Sequence, residues 1–200
     1  MKIKIGFFSV MLFLSLLMTH SFFAISAFLA VTLHELGHIA ASRLCRVHLS
    51  KLSVGLYGAR LKADNEMFSY KNEIFICIAG PAVNFISVLI FIPVYKICGG
   101  EFLRYFIFSS LILGTLNILP IKTFDGGRIL HSLLCLSLSP RAAETFLSII
   151  SFFFVFVLWC VSVYLLLVAR YGLSMFVFSV SLFNKFFVSS DTKTDQKGVI

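Results

Sequence analysis

Apolar residues in this chain gather into six long segments separated by short polar stretches. A segment of about 20 apolar residues is long enough to cross the hydrocarbon core of a bilayer as a helix. The first and last segments are shorter, which is compatible with tilting or partial insertion. The six segments are Ile5–Met18, Phe22–Leu44, Ile74–Ile97, Phe102–Leu119, Thr145–Ala169 and Leu173–Val188. Because lipid offers no partners to backbone amides, the pattern predicts an all-α polytopic membrane protein with about six transmembrane helices.

Two polar stretches lie outside these segments. The longer one, 45–73, carries glycines among partly alternating apolar residues from Leu52 to Lys62. This pattern is compatible with a small β-hairpin at the membrane interface, whose edge could capture an extended peptide by strand addition. An ordinary surface loop is the alternative. Residues 189–200 are polar and are predicted to form a flexible cytoplasmic tail, which follows a single membrane domain over residues 1–188.

Composition and charge agree with a membrane protein and indicate its orientation. Of the 200 residues, 59% are hydrophobic and only 13% are charged, whereas about 25% of a soluble domain is charged. The net charge of +8 comes from basic residues that flank the apolar segments, and this distribution argues against nucleic-acid binding. With six spans, only Lys96, Arg104 and Arg170 of the 17 Lys and Arg residues fall on one side. The positive-inside rule therefore places both termini in the cytoplasm.

The second apolar segment contains ionisable side chains that are costly within a bilayer. His34, Glu35 and His38 form the pattern His-Glu-x-x-His in its cytoplasmic half. Two histidines four residues apart project from one face of a helix, and both can bind the same metal ion. The intervening glutamate can then accept a proton from water that the metal activates. The alternative is a structural pair of buried histidines, with Glu35 paired to an arginine.

An aspartate after the fourth segment is a candidate third ligand. Asp125 lies in the sequence Thr-Phe-Asp-Gly-Gly. Catalytic zinc with two histidines takes a further protein ligand and keeps an open position, and a carboxylate suits that role. Taken alone, Asp125 is better explained as a turn residue or helix cap. Its occurrence together with the histidine pair, at a matching depth, favours the metal site.

Three sequence blocks together resemble the site-2 protease family of intramembrane zinc metalloproteases, peptidase family M50. They are the His-Glu-Leu-Gly-His block at 34–38, the Ala-Gly-Pro-Ala-Val-Asn block at 79–84, and the Asn-Ile-Leu-Pro block at 117–120 followed by Asp-Gly-Gly at 125–127. The chain is most similar to the stage IV sporulation protein FB type. Those proteins carry a C-terminal CBS domain, which this chain is too short to hold, so nucleotide regulation of that kind is not expected.

The resemblance implies roles for individual residues. His34, His38 and Asp125 would bind one Zn2+ per chain, and Glu35 would be the catalytic general base. The remaining motif residues would shape the site or bind substrate. They are Asn84, Asn117, Pro120, Gly80 and Pro81.

The expected function is hydrolysis of a peptide bond in or near a transmembrane segment of a membrane-associated protein. The resemblance implies regulated intramembrane proteolysis in a bacterial cytoplasmic membrane, with a sporulation sigma-factor precursor or an anti-sigma factor as candidate substrate. It also implies membrane inhibitor proteins as candidate partners. Two alternatives remain open at this point: a non-catalytic regulator or scaffold with a protease-like fold, and a metal transporter.

Overall fold

A computed structural model describes residues 2–5, 22–46, 49–55, 58–63, 69–169 and 176–184. Six helices and three strands lie within these ranges. The helices are α1 (Phe22–Leu44), α2 (Tyr70–Cys98), α3 (Glu101–Ile118), α4 (Asp125–Cys135), α5 (Pro140–Ala169) and α6 (176–184). The strands are β1 (Lys2–Ile5), β2 (Leu49–Gly55) and β3 (Gly58–Ala63).

Four of the helices are long and apolar enough to cross a membrane, namely α1, α2, α3 and α5. They coincide with the second to fifth predicted apolar segments, and the bounds of α1 are those predicted. The first predicted segment lies outside the described residues except for Ile5, and α6 covers only part of the last one. The total of six spans therefore stays a prediction, as does the nature of residues 189–200, which also lie outside the described part.

Small residues let α1 pack closely against α2. Apart from the two histidines, the buried positions of α1 are all alanine, serine or glycine. A Cβ atom added at Gly37 would lie 2.7 Å from the carbonyl oxygen of Ala79 and 2.9 Å from Cγ2 of Val83. Close backbone approach through small residues is typical of helix packing in membranes, where lipid competes with ordinary apolar contacts.

Helix α3 completes the bundle around α1 and α2. Its Phe106 is almost fully buried and meets Phe91 of α2 edge to face, with ring centroids 5.2 Å apart. Tyr105 makes a similar contact with Phe23 of α1 at 5.8 Å. Edge-to-face aromatic pairs add favourable electrostatics to the buried area. These contacts fix the N-terminal part of α3 against the other two helices.

The segment 119–124, which we call the α3–α4 connection, is held against α5. Ile121 is buried in a cluster with Val155 of α5 and Leu182 of α6. Ser151 of α5 is fully buried; its hydroxyl donates to the carbonyl of Pro120 at 3.2 Å and accepts from the Lys122 amide at 3.0 Å. Two backbone polar groups that no helix satisfies thus find a partner. The connection is therefore fixed where it leads into α4.

The strands form one three-stranded sheet in the order β1-β2-β3. Strands β2 and β3 pair antiparallel from Leu49 opposite Ala63 to Gly55 opposite Gly58, in the stretch for which the sequence left a hairpin and a surface loop as alternatives. Its position at the membrane interface stays a prediction. Strand β1 pairs parallel with β2, and this element was not predicted, because its four residues were assigned to the basic N-terminus and the start of the first span.

Candidate metal centre

The two histidines of α1 meet the aspartate of α4 at a single point. Nε2 of His34 and Nε2 of His38 are 3.1 Å apart, and Oδ2 of Asp125 lies 3.1 Å from the first and 3.0 Å from the second. His34 and Asp125 are 91 positions apart in sequence. Within the described ranges, these three residues are the one group of His, Cys, Asp and Glu side chains arranged to hold a metal ion.

The geometry and burial of the three atoms fit a divalent metal such as zinc. In a tetrahedral site with bonds of about 2.0–2.1 Å, neighbouring ligand atoms lie about 3.3 Å apart, close to the observed 3.0–3.1 Å. His34 and His38 are 4% and 8% exposed. Three lone-pair donors crowded together away from water repel one another unless a cation or protons lie between them.

The second ring nitrogen of His38 fixes its tautomer. Nδ1 of His38 lies 2.8 Å from the backbone carbonyl oxygen of Ile76, in the second turn of α2. A carbonyl only accepts hydrogen bonds, so Nδ1 carries the proton and donates it. In the neutral ring, Nε2 then has its lone pair free and directed at Asp125, as a metal ligand requires.

The second ring nitrogen of His34 faces a buried amide. Nδ1 of His34 lies 3.1 Å from Nδ2 of Asn84, whose side chain is fully buried one turn beyond Gly80 on α2. The amide oxygen, Oδ1 of Asn84, is buried without a hydrogen-bond partner among the described residues. A buried, unsatisfied carbonyl oxygen is uncommon. The sequence analysis assigned Asn84 to substrate binding, and that role stays a prediction.

Glycine at position 80 makes room for both imidazoles. A Cβ atom added at Gly80 would overlap Nε2 and Cε1 of His38 and would lie 2.9 Å from Cε1 of His34. Pro81 follows it and is buried within α2. Because proline lacks an amide hydrogen, the carbonyl of Cys77 loses its usual partner in the helix. These two motif residues therefore border the histidines, and their predicted contact with substrate is untested.

Two further glycines allow α4 to begin at Asp125. A Cβ atom at Gly126 would overlap the carbonyl of Ile118, and one at Gly127 would overlap the carbonyl of Ile121. The first turn of α4 is thus pressed against the end of α3 and the α3–α4 connection. The sequence alone left a turn and a helix cap as alternatives at Asp125, and the structure has a helix that begins there.

A charged network ties α4 to the start of α2. Glu73 accepts hydrogen bonds from Nε and Nη2 of Arg128 at 3.3 and 3.2 Å and from the hydroxyl of Ser132 at 2.9 Å. Burial lowers the pKa of Arg128, but the neighbouring acidic groups Cys77, Glu73 and Asp125 raise it by more. The net shift is upward, so the guanidinium is charged. Hydrogen bonds to charged groups are among the stronger polar contacts in proteins. The network therefore fixes the helix that carries the third candidate ligand.

The Asp125 carboxylate is ionised in this surrounding. Burial raises the pKa of Asp125, but hydrogen bonding and charge from the two imidazoles, which apply when the rings are protonated and no metal is bound, outweigh this effect and lower the pKa to about 2. An ionised carboxylate is the form that binds a metal. Glu35 is half-buried beside His34, and its carboxylate is close enough to His34, His38 and Asp125 to interact with their charges.

The other two motif residues lie on the path to Asp125. Nδ2 of Asn117 donates to the carbonyl of Leu113 at 3.0 Å in the last turns of α3. The carbonyl of Pro120 accepts from Ser151, as described above. Both residues thus belong to the structure that delivers Asp125, and direct substrate contact by either stays a prediction.

Sequence reasoning missed the residues that orient the three candidate ligands. The Ile76 group is a backbone carbonyl, which carries no signature in the side-chain sequence. Glu73 had a signal that could have been used: it is an acidic residue at the very start of an apolar segment. An acidic residue at such a position is expected to pair with a cation. Arg128, two residues after Gly126, could therefore have been predicted as its partner.

Three comparisons with known proteins found sequence similarity over part of the chain and a similar fold. The model of the family described as Peptidase family M50 matches residues 96–158, a range that includes Asp125. A zinc metalloprotease of Methanocaldococcus jannaschii is 33% identical over 112 residues, which are 54% of this chain and 32% of that protein. The chain thus spans about a third of the length of this curated relative.

The fold has a counterpart among solved structures. The structure titled Site-2 Protease from Methanocaldococcus jannaschii superimposes with a TM-score of 0.61 at 23% identity, covering 88% of this chain and 83% of that one. The four helices long and apolar enough to cross a membrane support a multi-pass membrane protein. The chain has the fold of that solved structure, and residues 96–158 match the model of peptidase family M50.

Proposed function

We propose that this protein is an intramembrane zinc metalloprotease that hydrolyses a peptide bond in or near a transmembrane segment of a membrane-associated protein. One observation carries the proposal. Nε2 of His34 and Nε2 of His38, which lie beside Glu35 on a helix able to cross a membrane, converge with Oδ2 of Asp125 of α4 to within 3.0–3.1 Å. Ionisable groups placed at such depth usually serve a function.

In this proposal His34, His38 and Asp125 hold one zinc ion. Bound there, zinc would polarise the scissile carbonyl and make water a stronger acid and nucleophile. Glu35 takes the proton from the attacking water and passes it to the leaving amine. Its place next to His34 on α1 keeps the carboxylate near the reacting groups, and half-burial leaves it accessible.

The proposed orientation puts the site in the cytoplasmic half of α1. The distribution of Lys and Arg residues supports cytoplasmic termini in a bacterial cell membrane. Water would then enter from the cytoplasm. A transmembrane substrate helix hides its carbonyls in internal hydrogen bonds, so the cut segment must first unwind.

The biological context is a finer part of the proposal. The resemblance to the stage IV sporulation protein FB type supports a sporulation sigma-factor precursor or an anti-sigma factor as substrate, and membrane inhibitor proteins as partners. The antiparallel pair β2–β3 offers a sheet on which an extended substrate segment could align by strand addition. The order β1-β2-β3 leaves β3 with one unpaired edge for such a segment among the described strands.

The decisive experiment replaces Glu35 by glutamine. Glu35→Gln is expected to keep about one zinc per chain, because none of the three ligands changes, and to lose cleavage because the amide cannot accept the proton. The same variant, expressed in the native host, serves to capture uncleaved substrate for identification by mass spectrometry. The captured protein is then co-expressed with wild type and with the variant, and its fragments are followed by immunoblotting.

A matched control is Glu101→Gln at the start of α3. Glu101 forms an exposed ion pair with Arg104 and lies outside the candidate metal centre, so this variant should cleave like wild type. Cleavage by Glu35→Gln at the wild-type rate would remove Glu35 from its assigned role. Absence of cleavage by the wild type, with zinc bound, would instead favour the non-catalytic scaffold.

A further inference from the structure

The side-chain amide of Asn84, as it is oriented in the structure, is incompatible with metal binding by His34. Nδ2 of Asn84 is the atom facing Nδ1 of His34 at 3.1 Å. An amide nitrogen only donates, so this arrangement needs a lone pair on Nδ1 and puts the imidazole proton on Nε2. A protonated Nε2 cannot bind a metal.

Rotating the amide by a half-turn resolves the conflict. Oxygen and nitrogen of an amide occupy nearly equivalent positions, and their assignment follows from the hydrogen bonds they make. Oδ1 of Asn84 is buried and lacks a partner among the described residues. After the rotation Oδ1 accepts the Nδ1 proton of His34, and the Nε2 lone pair is free.

The two histidines then have equivalent supports from one helix. His38 donates through Nδ1 to the Ile76 carbonyl at 2.8 Å, and with the amide rotated His34 would donate through Nδ1 to the Asn84 oxygen, in the place where Nδ2 lies 3.1 Å away. Ile76 and Asn84 are eight residues apart, and both belong to the buried face of α2. Metal-bound histidines usually donate their other nitrogen to an oxygen, which fixes the ring and its tautomer.

We propose that Asn84 is a positioning residue for the metal centre, whose side-chain oxygen accepts the Nδ1 proton of His34 and so fixes Nε2 as the ligand atom. This inference rests on the proposed zinc site. It gives Asn84 a role in metal affinity, whereas the sequence analysis assigned it to substrate binding. Full burial of the side chain supports a role behind the histidine rather than at the substrate surface.

The test compares the zinc affinity of three variants with that of wild type, all purified in detergent, by competition with a chromophoric chelator. Asn84→Leu removes the acceptor and is expected to weaken zinc binding by about 10- to 100-fold. Asn84→Asp keeps an oxygen acceptor at the same place and is expected to stay within about threefold of wild type or bind more tightly. Ser87→Ala, a buried polar-to-apolar change one turn further along α2, is the matched control and should bind like wild type.

Each outcome decides between roles. Equal loss in Asn84→Leu and Asn84→Asp would overturn the acceptor role, because packing of the amide would then be what matters. Unchanged zinc affinity in Asn84→Leu, with a raised KM for a cleaved substrate, would return Asn84 to substrate binding. Asn84→Ala makes the same comparison if the leucine variant does not fold. Failure of the wild type to bind zinc would count against the proposed function instead, so the two failures are distinguishable.

Discussion

The two sides of the metal centre are built in different ways. On α1, His34 and His38 share a face because they are one helical turn apart, and their Nε2 atoms lie 3.1 Å from each other. Asp125 arrives from a different part of the chain. Its position depends on glycine packing, a buried serine and an ion pair, none of which is local to the histidines. The pairing of the histidines is therefore set within one helix, with α2 orienting their rings, whereas the position of Asp125 is set by the tertiary fold.

The largest expected effect comes from removing a ligand on either side. His34→Ala and Asp125→Ala should each reduce bound zinc from about one ion per chain to below about a tenth after dialysis, because two protein ligands hold catalytic zinc poorly. Elemental analysis of the purified variants measures this. His131→Ala, which removes a histidine of α4 outside the centre, is the matched control and should keep its zinc. Full zinc occupancy in Asp125→Ala would show that the carboxylate is not a ligand.

An intermediate effect is expected from crowding α4. Gly126→Ala places a methyl group against the carbonyl of Ile118 and so must shift the first turn of α4, with Asp125, from its position beside the histidines. We expect zinc affinity to fall by about 10- to 100-fold and the free energy of unfolding to fall by about 1–3 kcal/mol. Chelator competition and thermal unfolding in detergent measure the two quantities. Leu133→Ala, at a half-exposed position of the same helix, should leave zinc affinity unchanged; equal loss in both variants would refute the positional explanation.

The smallest of the three effects is expected from the ion pair behind Asp125. Glu73→Gln removes the charge that faces Arg128, and the two side chains are 22% and 29% exposed. A pair of this intermediate burial should contribute about 1–2 kcal/mol to stability, and its loss should lower zinc affinity by less than about tenfold. Unfolding and zinc affinity are measured for Glu73→Gln, Arg128→Met and the double variant. Additive effects of the two changes would show that the residues do not act as a pair.

The contrast between the histidine pair, which local helix geometry places, and Asp125, which the tertiary fold places, also explains what the sequence could predict. The bounds of α1 and the membrane-crossing character of α2, α3 and α5 follow from runs of apolar residues, and these parts of the prediction agree with the structure. The histidine pair follows from helical periodicity. The sequence left a turn and a helix start as alternatives at Asp125, and only the carbonyls packed against Gly126 and Gly127 explain why no larger residue is present there.

The supports of the three ligands lay beyond sequence reasoning for a physical reason. Ile76 acts through its backbone carbonyl, and any residue at that position offers the same group. Asn84 was noticed as part of a motif, but its contact with His34 depends on how deeply α2 packs against α1, which Gly37 and Gly80 set. Packing distance between two helices is not visible in the periodicity of either one.

One face of α2 reaches every part of the centre. Along it lie Glu73, which holds the helix of Asp125, the carbonyl of Ile76 behind His38, the space above Gly80, and the amide of Asn84 behind His34. A helix that crosses a bilayer changes its tilt with the thickness of the surrounding lipid. Such a tilt would displace all four supports as a rigid unit, so bilayers of different acyl-chain length offer a way to tune metal retention without altering a single amino acid.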